Sequence, residues 1–248
     1  MRIRLFACLC IATLAVCASR TRAEGINLYW NDCSPFRGGG GVTGITNDCT
    51  SNNGSLVLIA SFVPQAGITG LVGVEGTILL TLGSASVPAW WQMQPTGCRS
   101  TSLSISFQYP GLSACARTWS GSQEIGGFAY DLSPLCCPAP YIARLRMVGA
   151  VAPSDSVAIS PSTEYYAFEI FINQRKSVGV GSCDGCATAA CIELRSIQLS
   201  QANRPTAEPA ITQTDQNKFV TYNGAHVGDC AYVPVRNSSW GALKAIYR

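Results

Sequence analysis

SLVLIASFVPQAGITGLVGVEGTILLTL, residues 55–82, decides the fold, because two apolar segments lie on either side of a short turn. Residues 55–63 are almost continuously apolar, which is typical of a buried strand. Residues 69–82 predict one long strand or two short ones. Proline and glycine in the connection mark the turn. The stretch therefore predicts strands rather than helices.

The same preference for strands continues outward from this stretch. Residues 102–107 alternate between apolar and polar positions, and in 143–147 Ala143, Leu145 and Met147 share one face. Further strands are predicted at 26–30, at 166–172 with Phe168, Ile170 and Ile172 inward, at 191–199 with a bulge near Ser196, and at 218–222. Many short strands predict an all-β fold, an antiparallel β-sandwich or a jelly roll.

Two segments depart from this strand pattern. Residues 240–247 follow two serines that can cap a helix, and Trp240, Leu243 and Tyr247 would share one helical face. They predict a short C-terminal helix. Residues 200–217 are polar and predict a long surface connection.

The first 23 residues have the pattern of an export signal. Arg2 and Arg4 precede an apolar run that is too short to span a membrane, and a small-x-small cleavage site follows. We expect a signal peptide at 1–23 and a single secreted or periplasmic domain at 24–248. A lipoprotein cut before Cys17 is the alternative, although the residue before it is larger than such processing prefers.

The charge balance excludes some partners. The chain has 17 basic and 14 acidic residues and a formal charge of +3. Four of the arginines belong to the export signal, which leaves 13 basic against 14 acidic residues in the mature part. Nucleic-acid binding therefore has no electrostatic support. No later segment is long and apolar enough to predict a transmembrane span.

Cysteine is frequent, with thirteen in the chain, of which three lie in the export signal. The ten mature cysteines are Cys33, Cys49, Cys98, Cys115, Cys136, Cys137, Cys183, Cys186, Cys191 and Cys230. An even number in an exported chain predicts up to five disulfides. Local pairs Cys33–Cys49 and Cys98–Cys115 are the simplest choice, since each closes a turn-rich loop. We expect the adjacent pair at 136–137 to take separate partners, because a vicinal bridge distorts its own peptide.

Three of these cysteines lie in GSCDGCATAAC, residues 181–191. The C-x-x-C spacing of Cys183 and Cys186 suits zinc, with Cys191 and either His226 or Cys230 as further ligands. It also begins thioredoxin-like redox motifs. Oxidised cysteines cannot bind zinc, and a strand rather than a helix follows. We therefore expect bridges and no metal, with local and distant pairing both open.

Catalytic constellations are sparse. His226 is the only histidine and no GxSxG motif is present, so a Ser–His triad is not favoured. Glycoside-type hydrolysis needs two carboxylates several ångströms apart. The candidates are Glu75, Glu164, Glu169 and Glu193, although carboxylates on strands most often face solvent. A non-catalytic module is the leading interpretation, and a secreted hydrolase with paired carboxylates is the alternative.

Aromatic pairs are the best candidates for ligand binding. Aromatic rings stack on the flat faces of sugars. The candidates are Trp90, Trp91, Tyr165 and Tyr166, with Trp30 and Trp119 as further aromatics. Because strand residues alternate, a binding role would leave one member of each pair exposed. Packing of these rings in the core or against loops is the favoured interpretation. The expected ligand is an extracellular polysaccharide or protein.

Calcium is the one cofactor that the sequence suggests. Oxygen-bearing side chains at Asn31–Asp32, Asn47–Asp48 and Asp184 lie near cysteine-bounded loops. No D-x-D-x-D-G loop is present, and such residues usually cap their own turns. We expect no cofactor, with calcium at these turns as the alternative.

Several segments together resemble an uncharacterised family of cysteine-rich secreted bacterial proteins. They are INLYWNDC (26–33), LVLIASFVPQAGITGLVGVEG (56–76), VPAWWQ (87–92) with GCR following, TEYYAFEIFIN (163–173), GSCDGCATAACIELRSIQL (181–199) and WGALKAIYR (240–248). The resemblance implies export and a β-sandwich-like domain, and it transfers no activity, ligand or catalytic residue. Cys136 and Cys137 fall outside the matching segments.

Overall fold

Strands form most of the described chain. The computed structural model describes residues 24–64, 66–112, 114–119, 124–132, 134, 136–137, 139–204, 209–225 and 230. The strands of this part are β1 (Gly25–Trp30), β2 (Gly44–Ile45), β3 (Ser55–Val63), β4 (Ile68–Leu82), β5 (Leu103–Ser106), β6 (Ile125–Asp131), β7 (Ile142–Ala150), β8 (Val157–Ile159), β9 (Tyr165–Asn173), β10 (Ala190–Gln201) and β11 (Phe219–Tyr222). Short 3-10 turns lie at Pro35–Arg37, Ala89–Trp91 and Pro153–Asp155.

The strands form two sheets. The four-stranded sheet has the order β1-β3-β9-β5 and is antiparallel throughout. The seven-stranded sheet has the order β2-β11-β10-β4-β7-β6, with β8 paired to β4. Its pairs are antiparallel except β2 with β11. The predicted all-β class is confirmed, and among the described residues no helix is long and apolar enough to cross a membrane.

The opening stretch forms the strands that its apolar pattern predicts. Residues 55–63 are β3, and the second segment forms one continuous strand, β4. Ile78 of β4 pairs with Leu194 of β10 on one side and with Leu145 of β7 on the other. Because β4 has partners along both edges, its fifteen residues stay extended.

One apolar core joins the two sheets. Leu58 and Ile170 of the four-stranded sheet face Leu80, Leu145 and Ile192 of the seven-stranded sheet. The void between them is only about 10 Å³. A void of this size is close to the least that one water molecule needs, so the two sheets are closely packed.

The predicted bulge in β10 is confirmed. The register with β4 shifts between Leu194 and Ser196. Leu194 and Ile197 are both fully buried although they are three residues apart. The additional residue in the bulge returns the side chains that follow it to the inner face.

Some predictions fail or lie outside the described residues. β2, β6 and β8 were not predicted, because their short or glycine-containing sequences show no apolar alternation. Residues 200–217 were predicted to form a surface connection. This prediction is wrong at Ile211, which is buried and exchanges backbone hydrogen bonds with Ile197. The export signal, His226 and the predicted helix at 240–247 lie outside the described residues.

Five disulfides join the ten cysteines that the structure describes. They are Cys33–Cys115, Cys49–Cys186, Cys98–Cys183, Cys136–Cys137 and Cys191–Cys230. Disulfide bonding is therefore confirmed. All three cysteines of residues 181–191 bond to distant cysteines, and none to another cysteine of that stretch.

The expected pairings are wrong. Cys33 and Cys115 are 82 residues apart in sequence, yet both lie against the outer face of the four-stranded sheet. Loop length suggested nearby partners, but strand pairing brings distant segments together. Cys136 and Cys137 bond to each other, and every other described cysteine has a long-range partner.

Two glycines, one on β7 and one on β6, test the packing of the core. A Cβ added at Gly149 would lie 2.3 Å from the ring of Phe107, whereas a Cβ at Gly127 would meet nothing within 4 Å. We expect Gly149→Ala to lower the free energy of unfolding by about 1–3 kcal/mol through overpacking. Gly127→Ala, the matched control, should change it by less than about 1 kcal/mol. Urea unfolding measures both, and equal effects would contradict the packing.

Candidate functional site

A polar cluster lies on the outer face of the four-stranded sheet. Asn27 of β1 pairs in register with Ser61 of β3. Glu164 directly precedes β9, and its side chain extends to Asn27 and Ser61. Its Oε1 accepts hydrogen bonds from Asn27 Nδ2 at 2.9 Å and from Ser61 Oγ at 2.5 Å. Two neighbouring strands therefore present donors to one carboxyl group.

Arg37 joins this carboxyl group to a second one. The Arg37 guanidinium donates from Nη2 to Asp215 Oδ2 at 2.8 Å and from Nη1 to the Ser162 carbonyl at 3.1 Å. Its Nε lies 3.3 Å from both Asp215 Oδ2 and Glu164 Oε2. Asn27 Nδ2 also donates to Asp215, at 3.1 Å. The cluster thus connects four segments that are far apart in the chain.

The cluster is shielded from water. The side chains of Arg37, Glu164 and Asp215 are 7%, 1% and 4% exposed. Burial is the largest influence on Glu164 and raises its pKa, with a smaller contribution from Asp215. Hydrogen bonds from Ser61 and Asn27 and the charge of Arg37 act in the opposite direction. Glu164 Oε2 accepts no hydrogen bond, so its interaction with Arg37 is purely ionic.

An open depression of about 570 Å³ lies beside the cluster. Phe36 stands at this depression with 70% of its surface exposed, and Arg37 and Glu164 contribute to the lining. Ala114, Cys115, Ala116 and Thr163 complete it. A large aromatic side chain at this exposure, next to a concave surface, is typical of a contact site for a partner molecule.

The wall of the depression is held firmly. Cys33–Cys115 packs with Ile59 and Tyr166 in a small apolar cluster. Ala116 N donates to the Glu164 carbonyl at 2.7 Å, and Tyr166 N donates to the Ala116 carbonyl at 2.9 Å. The depression therefore exists before any ligand arrives, which reduces the ordering cost of binding.

The predicted aromatic platform is absent at the residues expected to form it. Trp90, Trp91, Tyr165 and Tyr166 are all buried. The favoured interpretation, packing of these rings in the protein interior, is confirmed, and the exposure that a binding role requires is absent at these residues. Trp90 and Trp91 lie in a 3-10 turn rather than a strand, and both faces of β9 are covered. Trp30 and Trp119 are buried as well.

Trp90 belongs to a buried cation–π contact. The Arg99 guanidinium carbon lies 3.6 Å from the centre of the Trp90 ring. Arg99 donates to the carbonyls of Trp90 and Asn173, and burial lowers its pKa to about 10. Trp90 also stacks with Tyr222 at 6.0 Å. These contacts assign Trp90 to the protein interior.

The four candidate carboxylates differ in their surroundings. Glu75 is exposed, but Glu164, Glu169 and Glu193 are buried, so the solvent-facing interpretation is wrong for three of them. Glu193 is paired with Arg195 at 2.8 Å and Lys218 at 3.2 Å. Only Glu164 lies beside a second carboxylate, that of Asp215.

Several side chains of the alternative metal sites are engaged in disulfides or in hydrogen bonds within the protein. Cys183, Cys186 and Cys191 are all oxidised to disulfides, and His226 lies outside the described residues. No group of three or more metal-ligating side chains occurs within the described part of the chain. Asp32 accepts backbone hydrogen bonds from Cys33 at 2.7 Å and Gly40 at 2.8 Å. Calcium binding at the Asn and Asp turns stays a prediction.

Comparison of the chain with protein-family models, curated proteins and solved structures finds no match. The resemblance to cysteine-rich secreted bacterial proteins therefore stays a prediction.

Four residues of the site were missed by the sequence analysis. Asn27, Phe36, Arg37 and Asp215 come from β1, a 3-10 turn and the polar segment before β11. Phe36 carries a weak signal, since an aromatic residue in a loop rich in glycine has little apolar sequence around it. No spacing along the chain indicates that the other three meet.

Arg37 provides a test of the cluster. Replacing it with methionine would leave two buried carboxylates without their shared cation. We expect Arg37→Met to lower the free energy of unfolding by about 3–5 kcal/mol. The control Arg195→Met removes a half-exposed ion pair and should cost less than about 1 kcal/mol. Equal losses in urea unfolding would show that the cluster contributes no special stability.

Glu169 provides a test of pH dependence. Burial raises its pKa above 4.5, and a hydrogen bond with Ser106 opposes this only in part. Ionisation of Glu169 therefore disfavours the folded state. The wild type should lose stability relative to Glu169→Gln as pH rises from 4.5 through the raised pKa. Unfolding measured from pH 4 to 8 checks this, and a constant difference between the two proteins would contradict it.

Proposed function

We propose that the chain is a secreted, non-catalytic binding or surface-structural module that recognises an extracellular polysaccharide or protein. The observation that carries the proposal is Phe36, 70% exposed at an open depression of about 570 Å³. The role first assigned to the buried tryptophan and tyrosine pairs passes to this residue.

The position of Phe36 suits a contact residue. Its neighbour Arg37 points into the protein and is held by Asp215 and Ser162. Phe36 is therefore displayed by an anchored turn, and the backbone of this turn loses little freedom when a ligand binds. An aromatic face of this kind stacks on a sugar ring or packs against an apolar side chain.

The scaffold fits an extracellular setting. Five disulfides suit an oxidising compartment. The proposal includes an export signal at 1–23 and a single domain at 24–248. It also classifies the two facing sheets as a β-sandwich with jelly-roll-like connections, as in many secreted binding domains. Bacterial origin rests on the resemblance alone.

A secreted hydrolase is the second candidate, because Glu164 and Asp215 share Arg37 and Asn27 beside the depression. A general acid needs a raised pKa, and that of Glu164 is raised. Two features favour the binding module. Both carboxylates are almost completely buried, and both are paired with Arg37 inside the protein.

Binding by Phe36 can be measured with the disulfide-bonded protein on insoluble polysaccharides such as cellulose, chitin and peptidoglycan. We expect Phe36→Ala to weaken binding about tenfold or more, as for a central aromatic contact. Val180→Ala is the control, since Val180 is fully exposed in a different loop, and it should bind as the wild type does.

Two outcomes would count against this proposal. Equal binding by wild type and Phe36→Ala would remove Phe36 from the contact surface. Release of reducing sugars by the wild type, abolished in Glu164→Gln, would favour the hydrolase instead.

A further inference from the structure

We propose that Cys136–Cys137 is a thiol–disulfide exchange site that reacts with an external dithiol. The inference does not rest on the proposed function. It begins from a difference between this bridge and the other four, which join residues between 39 and 137 positions apart. Cys136 and Cys137 are adjacent in sequence.

The bridge between Cys136 and Cys137 does not join separate segments of the chain. A disulfide stabilises a protein mainly by closing a loop in the unfolded chain, and the effect grows with loop length. The ring at 136–137 contains only the atoms of its own two residues, so it restrains no other segment. Its role in the folded protein must therefore come from its chemistry.

The bridge is accessible to a reagent. Cys136 is partly exposed, and the neighbouring Pro134 is exposed. By contrast, both sulfur-bearing residues of Cys33–Cys115 and of Cys191–Cys230 are buried. Reaction of a disulfide requires in-line access of a thiolate to one sulfur. The vicinal bridge meets this requirement better than those two bridges do. Cys49–Cys186 and Cys98–Cys183 also have one partly exposed cysteine each, but both close long loops of the chain, which the vicinal bridge does not.

Opening the bridge leaves the fold in place. On one side, Asp131 pairs with Arg144, which donates to its carboxylate at 3.0 Å. On the other side, the carbonyls of Pro140 and Tyr141 accept hydrogen bonds from Val87 and Leu82 at 2.9 and 3.0 Å. The ends of the connection are thus fixed independently of Cys136–Cys137, and reduction stays local.

The exchange is balanced. A thiolate of the dithiol attacks one sulfur of Cys136–Cys137, forms a mixed disulfide and releases the other cysteine, which takes up a proton. The second thiol of the reagent then loses its proton and attacks the reagent's first sulfur in the mixed disulfide. This releases the second cysteine, which also takes up a proton. The reagent leaves as a cyclic disulfide. The protein gains two electrons and two protons, which the dithiol supplies.

Limited reduction with dithiothreitol, followed by alkylation, tryptic digestion and mass spectrometry, tests the site. The tryptic peptide 118–144 contains Cys136 and Cys137 and no other cysteine. We expect both alkyl groups to appear on this peptide at least tenfold faster than on any other cysteine, while the near-ultraviolet circular dichroism is retained. The reduced protein should bind one phenylarsine oxide, a trivalent arsenical that bridges two neighbouring thiols.

The double variant Cys136→Ser/Cys137→Ser is the control. It should show no fast thiols, bind no phenylarsine oxide and melt within about 3 °C of the wild type. The variant Cys98→Ser/Cys183→Ser, which removes a long-range bridge, should melt at least about 5 °C lower. Faster reduction of any other bridge, or loss of the fold together with reduction at 136–137, would overturn the proposal.

Discussion

The pairing of β4 with its neighbours is the interaction on which the rest of the structure depends. Its fifteen residues hydrogen-bond to β10 on one edge and to β7 and β8 on the other. Alternation along β4 directs Ile78 and Leu80 toward the four-stranded sheet, so the same strand defines both the ladder and the core. The inner, apolar face of the four-stranded sheet is therefore buried against the seven-stranded sheet, and its outer face can carry polar groups.

Local sequence pattern predicts the strands well and their partners poorly. The bulge of β10 was predictable, because it changes the phase of apolar residues within a single segment. β6 was not, since Gly126 and Gly127 lie where apolar residues would mark a strand, and Gly126 makes room for the ring of Phe107. The disulfide pairs depend on which strands become neighbours, and nothing within a few residues of Cys33 specifies that it will meet Cys115.

The residues of the candidate site could also be predicted only in part, because local sequence does not specify which segments become neighbours. Glu164 was among the predicted carboxylates, but Asn27, Arg37 and Asp215 join it only after the strand order is set. The aromatic prediction identified a suitable chemistry at unsuitable residues. Trp90 and Trp91 are large enough to fill the core and do so, whereas Phe36 is displayed outside because its neighbour Arg37 anchors the turn from within.

Three of the disulfides overlap along the chain, since Cys49–Cys186 and Cys98–Cys183 both begin before Cys33–Cys115 has closed. Any single backbone cut between Cys33 and Cys186 is therefore spanned by at least one covalent bridge. A protease that nicks an exposed loop there leaves two fragments still joined, with their strands still paired. Only a second cut, or reduction, can release a piece. The arrangement makes the chain tolerant of damage in surroundings rich in proteases.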